Sequence, residues 1–339
     1  MKQLMKLSVA ALAALSLGSV AACGTTADAK SSGGGTGTAA AASDPTDLRI
    51  MVPNTPGGGY DTTARISAKV LDQEGISRNV EVYNVAGAGG TVGLAKLVNN
   101  KGDGKQTMLM GLGVVGSQFT NKSKATLNDT TPIARLIEEA GAVVVSKDSP
   151  YKTLPQLIKA WKANPSKVTV GGGSSPGGPD HLLPMELAKT VGIDPTKVNY
   201  VTYDGGGDLL PAILGNKLGF AVSGYGEFLS EIKNGDVRVL GVSSAERVPV
   251  VDAPTFKEQG VNLTFTNWRG LVAPPGIDDA DKQMWVDAIT KMHDSAGWKK
   301  ELKTNGWTDA FLTGQKFDTF MNQQSTRVED TLTELGLAG

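Results

Sequence analysis

Cysteine and histidine are nearly missing from this chain of 339 residues, which has one Cys and two His. One cysteine rules out an internal disulfide, and three such side chains are too few for zinc sites built from several His and Cys ligands. Aromatic residues are sparse at 6%. The apolar run from Leu7 to Val20 is too short to cross a bilayer. Charge of one sign is lacking too: 33 Lys plus Arg face 34 Asp plus Glu, so no overall field favours nucleic acid or a membrane surface. What abounds is glycine, 43 residues, which suits tight turns and sites lined by backbone. With 40% hydrophobic and 20% charged residues, the chain is expected to fold around a large core split between two lobes.

The first residues read as an export leader. Lys2 and Lys6 precede the apolar run, and Val20-Ala21-Ala22-Cys23 resembles a bacterial lipobox. Residues 1–22 are expected to be a signal peptide, with Cys23 lipidated as the mature N-terminus. Residues 23–45, rich in Gly, Ser, Thr and Ala, bury too little apolar surface to fold and form a flexible tether.

Beyond Pro45, short β-type runs alternate with helical stretches, the pattern of α/β layers on a largely parallel sheet. Strands are expected at 48–52, 80–83, 107–110, 142–146, 168–170, 198–201, 218–222, 237–242 and 265–272. The first unit is the clearest: a strand, a Gly/Pro loop over 53–59, and a helix from Asp61 that places Ala64, Ala68 and Leu71 on one face. A second such unit begins at Val168, where the loop 171–178 leads into a helix carrying Leu183, Leu187, Ala188 and Val191. In open α/β sheets ligands sit at the carboxyl ends of strands, so two such units imply a cleft. The Thr55 to Asp61 loop brings backbone N–H groups and a helix N-terminus to an anion. Similar loops lie at Gly87 to Gly90 and at Tyr203 to Gly207. Asp61 is an odd neighbour for an anion. Either it satisfies amides of the first helical turn, or it accepts a hydrogen bond from a ligand donor.

Two motifs point elsewhere. Gly111, Gly113 and Gly116 match G-x-G-x-x-G, but the match follows the third strand and runs into polar residues from Ser117 to Lys124, so no dinucleotide cofactor is expected. Gly173-Ser174-Ser175-Pro176-Gly177 matches the G-x-S-x-G nucleophile elbow. A secreted α/β serine hydrolase using Ser175 is the alternative reading, with His293 as its base. His181 follows the serine too closely for that part.

Taken together, Pro56-Gly57-Gly58 with Asp61, Asn84 with Gly87 to Gly90, Gly173 to Leu182, Tyr203 with Gly205 to Gly207, Val222 to Glu227, Asn267-Trp268-Arg269-Gly270 and Ala273 to Gly276 resemble the substrate-binding subunits of bacterial tripartite tricarboxylate transporters, the Bug receptors. The resemblance covers residues 46–338, and Ser174-Ser175 with the Asn267 to Gly270 stretch look closest to the tricarboxylate-type branch. It implies an α/β, two-lobed periplasmic-binding-protein fold of the second type. Lobe 1 would comprise 46–145 plus 266–339 and lobe 2 146–265, with crossing strands near Val143 to Ser146 and Phe265 to Val272. It further implies a small carboxylate, citrate-like tricarboxylates foremost, and partnership with large and small integral membrane subunits. No catalytic residue, metal, cofactor or nucleic acid enters this reading. The ligand-binding residues it implies are Thr55, Gly57, Gly58, Gly59, Tyr60, Asp61, Gly89, Ser174, Ser175, Gly177, Gly178, His181, Tyr203, Gly206, Ser223 and Tyr225. Arg269 is expected to offer its planar fork to a second ligand carboxylate, or else to form an ion pair at the hinge. Val85-Ala86 departs from the Arg-Pro usual after the Asn, and Pro184 is expected to kink or delay its helix.

Overall fold

A computed structural model describes residues 45–203 and 205–338. The leader, Cys23 and all of the tether before Pro45 lie outside the described residues. The first unit forms as β1 (Arg49–Val52) and α1 (Gly59–Gln73), with Ala64, Ala68 and Leu71 buried beneath it. Gly75, at φ 65°, turns the chain out of this helix. β2 (Glu81–Asn84), α2 (Thr91–Asn99), β3 (Gln106–Gly111) and α3 (Leu112–Thr120) follow. β2 and β3 flank β1 in parallel.

Next come β4 (Thr131–Ser146), α4 (Leu154–Ala163), β5 (Val170–Gly172), α5 (Pro179–Thr190), β6 (Tyr200–Thr202), α6 (Gly206–Leu214) and β7 (Phe220–Gly224). α7 (Leu229–Asn234) and β8 (Val237–Val242) complete this part. Here β6 and β7 flank β5 in parallel. The chain then returns through β9 (Thr266–Ala273), α8 (Asp279–Asp294), α9 (Ala296–Asn305), β10 (Thr308–Thr313) and α10 (Gly314–Glu334). α8 and α9 each begin on a side-chain cap: Asp278 accepts from the Asp281 amide at 2.7 Å, and Ser295 from the Trp298 amide at 3.1 Å.

The strands join in the order β2-β1-β3-β9-β4-β7-β5-β6, with β8 and β10 also paired to β4. β4 spans two half-sheets. Its residues from Thr131 to Ala140 pair with β9, whereas Gly141 onward pairs with β7 and β8. The chain crosses back before β9: the Phe265 amide donates to the Ser243 carbonyl in one half, and the adjacent Thr266 pairs with Ala140 in the other. Both parallel trios therefore turn their carboxyl ends, and the loops after them, toward the same cleft. The scarce aromatics are spent on the core, with Trp161, Trp268, Trp285 and Trp298 all fully buried.

Several elements differ from the sequence expectation. β4 begins at Thr131 and not at Ala142, because Arg135, Glu138 and Glu139 give its first part a polar look. In the sheet these charges are accommodated: Arg135 lies over the Phe320 ring, 4.2 Å from its centroid, and Glu139 is paired with Arg269. The strand expected at 168–170 is displaced to Val170–Gly172, where bare glycines let Leu218 and Tyr200 approach. The sequence pattern predicts no strand at β10; its ladder partner on β4, and not its own composition, makes it one. Pro184 does not delay its helix, since α5 begins five residues earlier at Pro179 and runs through it.

Candidate functional site

The cleft holds a cavity of about 550 Å³. From one half-sheet it is walled by Pro53, Asn54 and Thr55 after β1, by Gly59 and Tyr60 at the start of α1, by Ala86 to Gly90 after β2, and by Gly113 and Ser117 of α3. From the other come Gly173, Ser174 and Ser175 after β5, Gly178, Pro179 and Asp180 entering α5, Thr202 ending β6 with Tyr203 next to it, and Gly224 ending β7 with Glu227 beyond it. Asn267 and Arg269 of β9 close the wall.

The two Gly/Pro loops are built alike. Pro56-Gly57-Gly58 precedes α1, and Pro176-Gly177-Gly178 precedes α5. Gly57 and Gly177 take φ values of 89° and 88°, conformations that a side chain would strain. Three residues after the second glycine in each, a side chain reaches back. Asp61 Oδ2 accepts from the Gly57 amide at 3.0 Å, and His181 Nδ1 accepts from the Gly177 amide at 3.2 Å. Asp61 is held further by Arg65 at 2.8 Å and by the Asn84 amide group at 2.9 Å. Burial works to raise the Asp61 carboxyl, but the bonds from Arg65, Gly57 and Asn84 outweigh it and keep its pKa below the usual value. His181 is buried against Tyr200, which lowers its pKa to about 4 and leaves the ring neutral. Both side chains stand behind the cavity wall and lock the loops that form it.

Arg269 is the cation of the site. Only 3% exposed, it donates to Glu139 Oε2 at 2.7 Å and to Thr63 Oγ1 at 3.1 Å, while its Nε has no partner. The Asn54 and Asn267 Oδ1 atoms are likewise buried without partners. Gly59 makes room for the guanidinium: a Cβ there would lie 2.4 Å from a terminal nitrogen. Tyr60 accepts from the Gly113 amide at 3.0 Å, and burial pushes its pKa to about 12, so it stays neutral.

Of the residues expected at a ligand, Thr55, Gly59, Tyr60, Gly89, Ser174, Ser175, Gly178, Tyr203 and Arg269 line the cavity. Gly57, Gly58, Asp61, Gly177, His181, Gly206, Ser223 and Tyr225 lie outside that lining. Ser223 donates to Asp180 Oδ2 at 2.9 Å from behind, and the Tyr225 hydroxyl donates to the Gly306 carbonyl. Asp180, Glu227, Asn267 and Asn54 also line the cavity and are not among the contacts expected from the sequence. The clearest missed signal was Asp180, in the first turn of a helix after a Gly-rich loop.

The two competing motifs resolve into packing. Gly116 faces Gly177 so closely that a Cβ on Gly116 would sit 1.8 Å from the Gly177 carbonyl oxygen, so this glycine brings the two walls together. For the hydrolase alternative, Ser175 lines the cavity, but both histidines are engaged elsewhere. His293 stacks on Phe311 and directs its ring nitrogens to Asp294 and Asp309. His181 spends Nδ1 on the loop amide.

Among known proteins, the family model described as Tripartite tricarboxylate transporter family receptor matches residues 64–337. A UPF0065 protein of Cupriavidus necator is 29% identical over 301 residues, 86% of this chain and 88% of its own length. Among solved structures, MatC of Rhodopseudomonas palustris with bound malate superposes with a TM-score of 0.71 at 20% identity, over 85% of this chain and 99% of that one. An R. palustris protein with adipate gives 0.78 at 19%, over 86% and 98%.

Proposed function

Because the chain belongs to the tripartite tricarboxylate transporter receptor family, a family of extracytoplasmic solute-binding receptors and not of enzymes, we propose that it captures a small di- or tricarboxylate in this cavity and delivers it to integral membrane subunits. One observation carries the ligand class: the carboxyl ends of both parallel strand trios open on one cavity of about 550 Å³ walled largely by glycine-rich backbone. Backbone amides and helix N-termini supply anion donors without mobile side chains, so a carboxylate replaces water at little ordering cost. Arg269 Nε and the cavity's hydroxyl groups add directed donors. The malate and adipate of two fold neighbours support a ligand of this size, and the tricarboxylate-type residues Ser174, Ser175 and Asn267 to Gly270 favour a citrate-like acid.

The proposed lobes are residues 46–145 with 266–339, and 146–265, moving about β4 and the chain entering β9. Closure on the ligand would shift the population recognised by the membrane subunits. Among the described residues no helix is long and apolar enough to cross a membrane, and anchoring is assigned to a lipidated Cys23. Cys23→Ala should release the protein from membranes, and unchanged association would refute that anchor. A thermal-shift screen of carboxylates tests the ligand class, since a true ligand at 100 times its Kd adds about 2.7 kcal/mol of stability. The ligand is recovered unchanged; turnover of an ester abolished by Ser175→Ala would restore the hydrolase reading.

A further inference from the structure

The charges around the cavity do not suit a simple anion. Three carboxylates, on Glu139, Asp180 and Glu227, meet one guanidinium, and Arg269 is already matched by Glu139 at 2.7 Å. Asp180 and Glu227 line the cavity with no cation of their own. The remaining groups packed around them are neutral or distant in effect. His181 on α5 is kept neutral by burial. Tyr60 on α1, Tyr200 on β6 and Tyr225 after β7 are all pushed up by burial. Asp208, in the first turn of α6, is exposed. A dianion placed here against two ionised carboxylates would be repelled.

The placement of the two acids bears on this conflict. Ser223 Oγ donates to Asp180 Oδ2 at 2.9 Å. Glu227 stands against the adjoining turn, its Oε2 2.1 Å from where a Cβ on Gly206 would lie. A second donor fixes Asp180 in place: the Gly173 amide donates to its Oδ2 at 2.9 Å. Burial raises both carboxyls, and the neighbouring carboxylates raise them further. Glu227 meets the cavity's water, which screens it more than Asp180. The proton belongs to the pair and not to either residue. Arg269, in the same wall, has a buried Nε without a hydrogen-bond partner.

We propose that Asp180, held by Ser223, and the nearby Glu227 take up one proton between them as a ligand carboxylate enters, so that anion capture in this cavity is accompanied by proton uptake. The proton comes from solvent, rests on a carboxyl oxygen of the pair, and no covalent bond of the ligand changes. This inference rests on the carboxylate-binding reading and gives the receptor a preference for the acidic side of neutrality.

Calorimetric titration of the full-length chain with malate, adipate and citrate tests it, each in phosphate and in Tris, buffers of unequal ionisation enthalpy. Expected are buffer-dependent heats that report proton uptake, and an affinity that falls by up to about tenfold per pH unit above neutrality for one proton linked. Glu227→Gln should remove the buffer dependence and flatten the pH profile. Equal heats in both buffers with a flat wild-type profile would overturn the proposal. If none of the three acids binds, the carboxylate-receptor reading fails instead, and the acid pair is still decided without ligand. In that case carbon-13 NMR titration of the Asp and Glu carboxyls should show one group titrating near neutrality that Glu227→Gln abolishes. Carboxyls that all titrate below about pH 5 would overturn it.

Discussion

Replacing Gly59 by Ala sets two effects of opposite sign against each other. Gly59 opens α1 with a backbone that any residue adopts, so local propensity alone predicts a gain of at most about 1 kcal/mol for Ala. Against this, the new Cβ would stand 2.4 Å from a terminal nitrogen of Arg269 and 2.8 Å from its guanidinium carbon. An arginine tip usually yields cheaply, but this one is 3% exposed and tied to Glu139 and Thr63. Moving it strands Glu139, also 3% exposed, which otherwise accepts from the Gly226 amide at 3.1 Å. Breaking a buried pair by displacing one partner costs about 3–5 kcal/mol. Less the propensity gain, Gly59→Ala is expected to lose about 2–4 kcal/mol in urea unfolding, together with carboxylate affinity. Gly207→Ala is the control. A Cβ there meets nothing within 4 Å, so it should leave stability unchanged or raise it by up to about 1 kcal/mol. A Gly59→Ala protein as stable as Gly207→Ala, with normal affinity, would show that Arg269 is not locked as described.

Three further outcomes are expected. Asp61→Asn keeps one acceptor but faces the Asn84 amide and loses the Arg65 pair; it should cost about 1–2 kcal/mol of stability with ligand affinity unchanged, and an affinity loss at wild-type stability would place Asp61 at the ligand. Burial lowers the His181 pKa to about 4, below its ordinary unfolded value, so its contribution is full above about pH 6.5 and is lost as the pH falls toward 4, amounting to about 3 kcal/mol at most; urea midpoints for wild type and His181→Asn should converge in acid, and parallel curves would refute the assignment. Gly116→Ala pushes α3 off the Gly177 loop and should weaken carboxylate binding at least about tenfold, a cost of about 1.4 kcal/mol, read by calorimetry; wild-type affinity would show that this close approach is dispensable.

The parts of this molecule that were legible in its sequence are those where a local rule and the fold agree. The β1 to α1 unit combines an apolar run, a Gly/Pro turn and a helical stripe, and each signal is local. The same holds for the second Pro-Gly-Gly loop. What stayed hidden depends on partners distant in sequence. The first part of β4 reads as polar because its charges are satisfied from far along the chain, by Arg269 of β9, by the Ala310 carbonyl of β10 and by the Phe320 ring of α10. Asp180 reads as an ordinary first-turn acid until Ser223 and Glu227 are placed beside it from β7 and the turn after it. Likewise, spacing did not reveal that the third glycine of Gly111, Gly113 and Gly116 serves the contact between two walls of a cleft.

The same division explains how specificity can be built on so few side chains. The helix-start loops repeat one device, a glycine in the left-handed region locked by a side chain that reaches back from the first turn, once with Asp61 and once with His181. One lock is an acid braced by Arg65 and the other a neutral ring, so the shared requirement is an acceptor at that position and not a particular residue. These locks fix the direction of the backbone amides but face away from the cavity, which leaves them free to vary without altering the ligand. Discrimination then falls to the few side chains that do face inward. Among the charged ones these are Arg269, Asp180 and Glu227, and their balance of three carboxylates, counting Glu139, to one guanidinium can admit an anion only with a compensating proton. A receptor of this construction selects its acid by where the proton sits as well as by shape.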